Sequence, residues 1–352
     1  MQFDLIITYI LFPVMVLWGI GLKKEEDRKG LINKDESAFL RGVAALMVVF
    51  AHYCLRLEEE QRLSSLMLPF RFLGPLGVAI FFFISGYGLY VSNGFASLNF
   101  KFVKKRFLNV YIPYVLMRIL FLFFGGILEI DTSSVGAVIA YVLGITVSPS
   151  WFVVVIMVMY ILYYLISKIK LSDISKIYVL FGALFVFSAI MFFLKGYEHS
   201  YWFGNNLVFA IGVIAAYYRS ALMGFIKKSY KIILPVTIVL FLVASGLYFV
   251  LEDMLLIIDK MFAGILLTAL FVLIMYIFNF RSKIMIFTGK YSLYIYITHT
   301  NLYRIMGEYL DMKNIINICI YFILVIIVPI VLEWMISRLL KLVDGLFAGK
   351  QK

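Results

Sequence analysis

The side chains best suited to chemistry in this sequence are a few ionisable groups set inside long apolar runs. Arg41 and His52 share the run FLRGVAALMVVFAHY. Eleven residues separate them, which on a helix is about 1100° of rotation, within ~20° of the same face and about 16 Å along the axis. Ala44, Ala45 and Val48 lie between them on that stripe, and such small side chains leave room for a ligand or for a close neighbouring helix. Histidine exchanges protons near neutrality, with an unperturbed pKa of ~6.5, so His52 is a candidate general base. A guanidinium held in hydrocarbon demands a counter-charge or an anionic ligand. The bland alternatives are a topogenic charge at the membrane surface for Arg41 and an interhelical hydrogen bond for His52.

His299 ends the run YSLYIYITH, where Ser292, Tyr296, His299 and Tyr303 recur at helical spacing and form a polar seam. It could serve a second proton transfer, or simply tie two helices together. Arg118 lies about a dozen residues into an apolar run, too deep to reach water easily, so it should meet a polar cavity, a carboxylate, a carbonyl or an anionic ligand. Weaker candidates for contact with a substrate are Ser85 beside Gly86 and Gly88 in FFFISGYGLY, Trp151 after SPS, and the pair Asn205 and Asn206 in YWFGNNLVF. Helix packing, an interfacial indole and interhelical bonding are their respective alternatives.

These groups need a scaffold, and composition dictates which kind. Hydrophobic residues make up 64% of the 352 and charged residues 15%, which suits a bilayer rather than water. The apolar residues fall in blocks long enough to cross ~30 Å of hydrocarbon as helices, without the alternating ten-residue strands of a barrel. The expected fold is therefore an all-α polytopic transmembrane bundle. Its spans fall near residues 3–22, 39–57, 73–92, 107–128, 152–168, 177–194, 203–219, 232–251, 261–279, 285–304 and 315–340, about eleven in all. Residues 136–148 are apolar but too short to cross, which suggests a re-entrant or interfacial segment.

The net charge of +12 does not call for nucleic acid. Lys and Arg gather in alternate loops, and by the positive-inside rule this places the N-terminus outside and the C-terminus in the cytoplasm. The first block has Asp4 where a cleaved signal would carry basic residues, so it reads as a retained helix. No HExxH, CxxC, P-loop or GxSxG motif is present, so neither a resident metal nor a serine-hydrolase elbow is expected. Residue chemistry alone leaves open an enzyme, a transporter of a glycan or small anion, and a non-catalytic scaffold.

Several stretches in order resemble the integral membrane acyltransferases of acyltransferase family 3. LRGVAALMVVFAH is similar to the family's first core helix with its Arg and His, FFFISGYGLY to its FF-x-x-SG helix, FVKKRFLNVYIPYV to its basic cytoplasmic segment, and YSLYIYITH to its late SLYLYLxH helix. WFVVVIMVMYILYYL and NNLVFAIGVIAAYY resemble two later core spans. Ala38 stands where the family often has Asp, and Asn109 where a further Arg is common.

The resemblance implies a ten-helix core over residues 37–345, preceded by one extra transmembrane helix within 1–25, as in stand-alone bacterial members of the cytoplasmic membrane. It implies acyl-CoA, foremost acetyl-CoA, as donor, with no metal. The acceptor would be a polysaccharide or lipid-linked glycan. Arg41, Lys105 and Arg106 would meet the donor's phosphates, and His52, assisted by Arg41 and His299, would carry the transfer. Arg118, Ser85, Trp151, Asn205 and Asn206 would face substrate.

Overall fold

The computed structural model describes residues 6–28, 30–95, 98–145 and 151–348. Its principal helices are α1 (Lys34–Glu59), α2 (Leu73–Asn93), α3 (Ile112–Phe121), α4 (Val135–Leu143), α5 (Trp151–Ser167), α6 (Asp173–Lys195), α7 (Leu207–Tyr217), α8 (Arg219–Leu247), α9 (Asp253–Ile277), α10 (Lys283–Lys290), α11 (Ser292–Tyr309) and α12 (Ile315–Ala348). Seven helical stretches are long and apolar enough to cross a membrane, and they coincide with seven of the expected spans. The chain is an all-α, multi-pass membrane protein.

The other four expected spans are shorter or interrupted. Residues 203–219 yield α7, of 11 residues, and 152–168 yield α5, of 17. The run 285–304 is divided between α10 and α11 at Tyr291. The segment 3–22 is an apolar helix over Thr8–Leu17 among the described residues, about 15 Å long at 1.5 Å per residue. Gly19 then turns the chain at φ +75°, and Gly21–Leu22 pairs antiparallel with Phe278–Asn279.

The chain divides into two compact units. The first comprises Met1–Arg106 and Val154–Lys290, and α1 is central to it. A capping box starts α1: the Asn33 side chain accepts from the Glu36 amide at 2.9 Å while the Glu36 carboxylate accepts from the Asn33 amide at 2.8 Å. The other carboxylate oxygen of Glu36 takes the Lys23 ammonium at 2.5 Å in a buried pair. This bond and the Ser282 hydroxyl, which donates to the Met15 carbonyl at 2.6 Å, tie the N-terminal segment into the unit.

Helices here meet backbone to backbone. A Cβ on Gly42 would sit 2.0 Å from the Met285 carbonyl oxygen, and one on Gly289 would sit 1.8 Å from that of Ala38, so α1 and α10 cross through two glycines. Gly86 against the Phe209 carbonyl and Gly212 against that of Phe83 do the same for α2 and α7. Close approach of this kind trades side-chain volume for backbone van der Waals contact where bilayer lipid offers little hydrophobic drive.

The second unit comprises Phe107–Val153 and Tyr291–Lys352. It contains α3, which follows the five-residue π-helical turn Phe107–Tyr111, together with α4, α11 and α12. The apolar segment read as re-entrant is α4, nine residues long. The Ser134 hydroxyl accepts from the Ala137 amide at its start, and Gly144, at φ 75° and ψ 22°, ends it in the left-handed region. Residues 146–148 of that segment lie outside the described residues.

Candidate active site

From Phe39 to Cys54 every residue of α1 is buried except Arg41 and His52, which are half-buried. The stripe between them is not open along its length: a Cβ on Gly77 of α2 would meet the Ala44 carbonyl oxygen at 2.7 Å and Val48 at 3.0 Å. The small residues therefore admit a neighbouring helix, and the two polar side chains keep partial access at its ends.

At the Arg41 end the first unit collects positive charge. Arg41 keeps a buried Nε that donates to nothing. Tyr160 of α5 and Arg106 are the ionisable groups close enough to influence it. The Arg106 guanidinium lies over the Tyr160 ring at 5.0 Å and over Phe102 at 5.5 Å, within the range of a cation–π contact. Among the described residues neither guanidinium has a carboxylate partner. Two guanidiniums in mutual electrostatic reach and without a counter-ion repel one another, a cost that an anion bound by both would remove. Lys105, expected beside them, is exposed.

Tyr160 escapes a sequence reading because it sits in a uniformly apolar and aromatic run, VMYILYYL. Nothing in its spacing marks it as the ring that carries Arg106.

In the second unit the fold itself satisfies Arg118. It is 2% exposed, its Nε donates to the Tyr141 carbonyl oxygen, and its guanidinium stacks on the Tyr141 ring at 3.7 Å and lies 5.4 Å from that of Tyr114. The Tyr111 hydroxyl donates to the Leu143 carbonyl at 3.0 Å. Both bonds serve the last turn of α4, where the Tyr141 carbonyl also accepts from the Gly144 amide at 2.9 Å, and the cation sits at the favourable end of the helix dipole. Of the expectations for Arg118, the carbonyl is the one the geometry supplies.

His299 is also deeply buried, at 1% exposure. Its Nδ1 lies 2.9 Å from the Ile295 carbonyl oxygen, which in the neutral ring assigns the proton to Nδ1 and the lone pair to Nε2. The Tyr321 hydroxyl donates to the His299 carbonyl at 3.3 Å and packs edge-on to Tyr303. Ser292, Tyr296 and Tyr303 are buried with it, so the polar seam faces protein.

The remaining candidates are dispersed. Ser85 is half-buried on α2, and the adjoining Gly86 is taken up by contact with α7. Trp151 is buried edge-on against Phe152; Ser148, Pro149 and Ser150 before it lie outside the described residues. The Asn205 amide donates to the Pro75 carbonyl at 3.1 Å, and that of Asn206 to the Ser188 hydroxyl and the Trp202 carbonyl, both at 3.1 Å. Their Oδ1 atoms remain buried without a donor.

Comparison with curated proteins and with solved structures finds no match. Residues 36–334 match the Acyl_transf_3 family model, an acyltransferase domain. The match begins at the buried carboxylate that caps α1 and takes in the arginine pair, both α1 polar side chains and α11. The chain belongs to the membrane acyltransferases of acyltransferase family 3.

Proposed function

We propose that the protein moves an acyl group, acetyl foremost, from cytoplasmic acyl-CoA to a hydroxyl of an envelope or exopolysaccharide glycan, free or lipid-linked, in the bacterial cytoplasmic membrane. The observation that supports this reading is the pair Arg41 and Arg106, both near Tyr160 and without a carboxylate partner among the described residues. The diphosphate of a coenzyme A thioester is the anion such a pair recruits, with Lys105 adding attraction from the exposed surface. The positive-inside rule favours the cytoplasmic side for this end of α1, with the N-terminus outside and the C-terminus inside.

His52, about 16 Å along the same helix, then takes the proton from the acceptor hydroxyl. The freed oxygen attacks the thioester carbonyl, the C–O bond forms as the C–S bond breaks, and the imidazolium returns its proton to the departing thiolate. No net charge is left behind. His299, its Nδ1–H bound to Ile295, is the second candidate for acid–base work. Arg118 serves the acceptor side by fixing α4. The Oδ1 of Asn205 or Asn206, without a donor among the described residues, accepts from sugar hydroxyls, and Ser85 and Trp151 are each further candidates for substrate contact.

The test is transfer of radiolabelled acetyl from acetyl-CoA to envelope polysaccharide in membranes carrying the protein. His52→Ala should lower transfer about 10²–10⁴-fold at unchanged protein abundance in the membrane, and polysaccharide from that strain should lose base-labile ester mass. Flux of a solute with no ester formed would sink the proposal in favour of transport.

A further inference from the structure

A cavity in the Phe107–Val153/Tyr291–Lys352 unit is lined by no residue given a role in transfer. Between α3 and the charged end of α12 runs an open cavity of about 440 Å³. It is lined by Leu116, Met117 and Leu120 on one side and by Trp334, Met335 and Leu339 on the other, with Arg338 at its rim. Both walls belong to stretches long and apolar enough to span the membrane. Leu120, Trp334, Met335 and Leu339 are exposed at 40–53%, so the groove opens outward.

Three observations identify the occupant. The lining side chains are apolar apart from Arg338 and the Trp334 indole nitrogen, so water finds few partners there and an acyl chain does. Pro329 lies inside α12 just before the groove, where it removes one backbone hydrogen bond and disfavours a straight helix. The Arg338 guanidinium lies over the Trp334 ring at 4.2 Å, and among the described residues no carboxylate pairs with it; Glu333 instead accepts from the Ser337 hydroxyl at 3.0 Å. An indole and an arginine at the mouth of a chain-sized apolar groove suit the level of lipid headgroups.

We propose that this groove holds one anionic phospholipid, its acyl chain between α3 and α12 and its phosphate on Arg338, with exposed Lys341 one turn further along adding attraction. The claim needs neither donor nor turnover, so it stands or falls apart from the acyl-transfer reading.

The experiment uses the full chain in neutral detergent, stripped of lipid and exposed to mixed micelles of phosphatidylglycerol or phosphatidylcholine, with retained lipid counted by native mass spectrometry. The wild type should retain phosphatidylglycerol about fivefold more than phosphatidylcholine. Arg338→Gln should erase that preference, Arg338→Lys should keep most of it, and Leu120→Trp should fill the groove and lower retention of both lipids with helicity by circular dichroism unchanged. Equal retention by the wild type, a preference that survives Arg338→Gln, or retention unmoved by Leu120→Trp would each overturn the proposal.

Discussion

Arg41 and Arg118 are the same residue in two apolar interiors, and the fold treats them in opposite ways. Around Arg118 it supplies a carbonyl at the end of α4 and two aromatic faces. Around Arg41 it supplies a second cation, Arg106, and leaves a buried nitrogen without an acceptor. A charge that a fold needs is one it satisfies; a charge left in want of an anion is one kept for a ligand. The difference sets a guanidinium with partners in the fold, 2% exposed, against a half-buried candidate for ligand binding of the same residue type.

The contrast breaks first at Arg41. Arg41→Gln should lower kcat/KM for acyl-CoA on the order of a thousandfold, since charge-assisted hydrogen bonds contribute about 1.5–3 kcal/mol each and a guanidinium can give two to a diphosphate. The melting temperature should hold or rise, because the substitution relieves repulsion with Arg106. A fall in melting temperature with unchanged kinetics would make Arg41 architectural and end the distinction.

Arg118→Gln should do the reverse. It removes one of two donors to the Tyr141 carbonyl, which keeps the Gly144 amide at 2.9 Å, and it removes the stacked cation, a loss of about 2–3 kcal/mol visible as a lower melting temperature. KM for acyl-CoA should not move in the protein that remains folded. Arg118→Lys should recover only part of the stability, since an ammonium lacks the planar face that stacks on Tyr141.

The ring that joins the cationic pair gives a smaller effect. Tyr160→Leu removes the face that holds Arg106, worth about 1 kcal/mol, and should raise KM for acyl-CoA about fivefold with kcat retained. Tyr160→Phe keeps that face and should stay close to the wild type. Equal effects from the two variants would mean that the hydroxyl, not the ring, matters.

What could be read beforehand follows physical lines. Hydrocarbon thickness and apolar block length expose the long helices, so the runs holding α1, α6, α9 and α12 are plain in the sequence. Chain breaks set by tertiary contact are not: the division at Tyr291 and the end of the first helix at Leu17 depend on glycines and on a strand pair between residues about 250 positions apart. Arg41 and His52 stand out because charge is rare in such runs, and Arg106 through the basic segment. Tyr160 does not, since an aromatic on an apolar helix looks like packing until a cation is found above it. Arg118 was legible as costly, but only the return of α4 shows that the helix end meets the cost.

The least of these effects refines the architectural half of the comparison. The Tyr111 hydroxyl bonds the Leu143 carbonyl in the same helix turn that Arg118 serves, so the two should act on α4 together. Tyr111→Phe removes one neutral hydrogen bond, about 0.5–1.5 kcal/mol, while leaving the ring tilted against that of Tyr114 at 5.9 Å. If both groups hold one structural element, the double variant with Arg118→Gln should lose a different amount of stability from the sum of the two single losses, because once one tether is gone the last turn frays and the other has less to hold. Strict additivity in thermal or denaturant unfolding would show that the carbonyls of Tyr141 and Leu143 are held independently, and that α4 is not positioned as a unit.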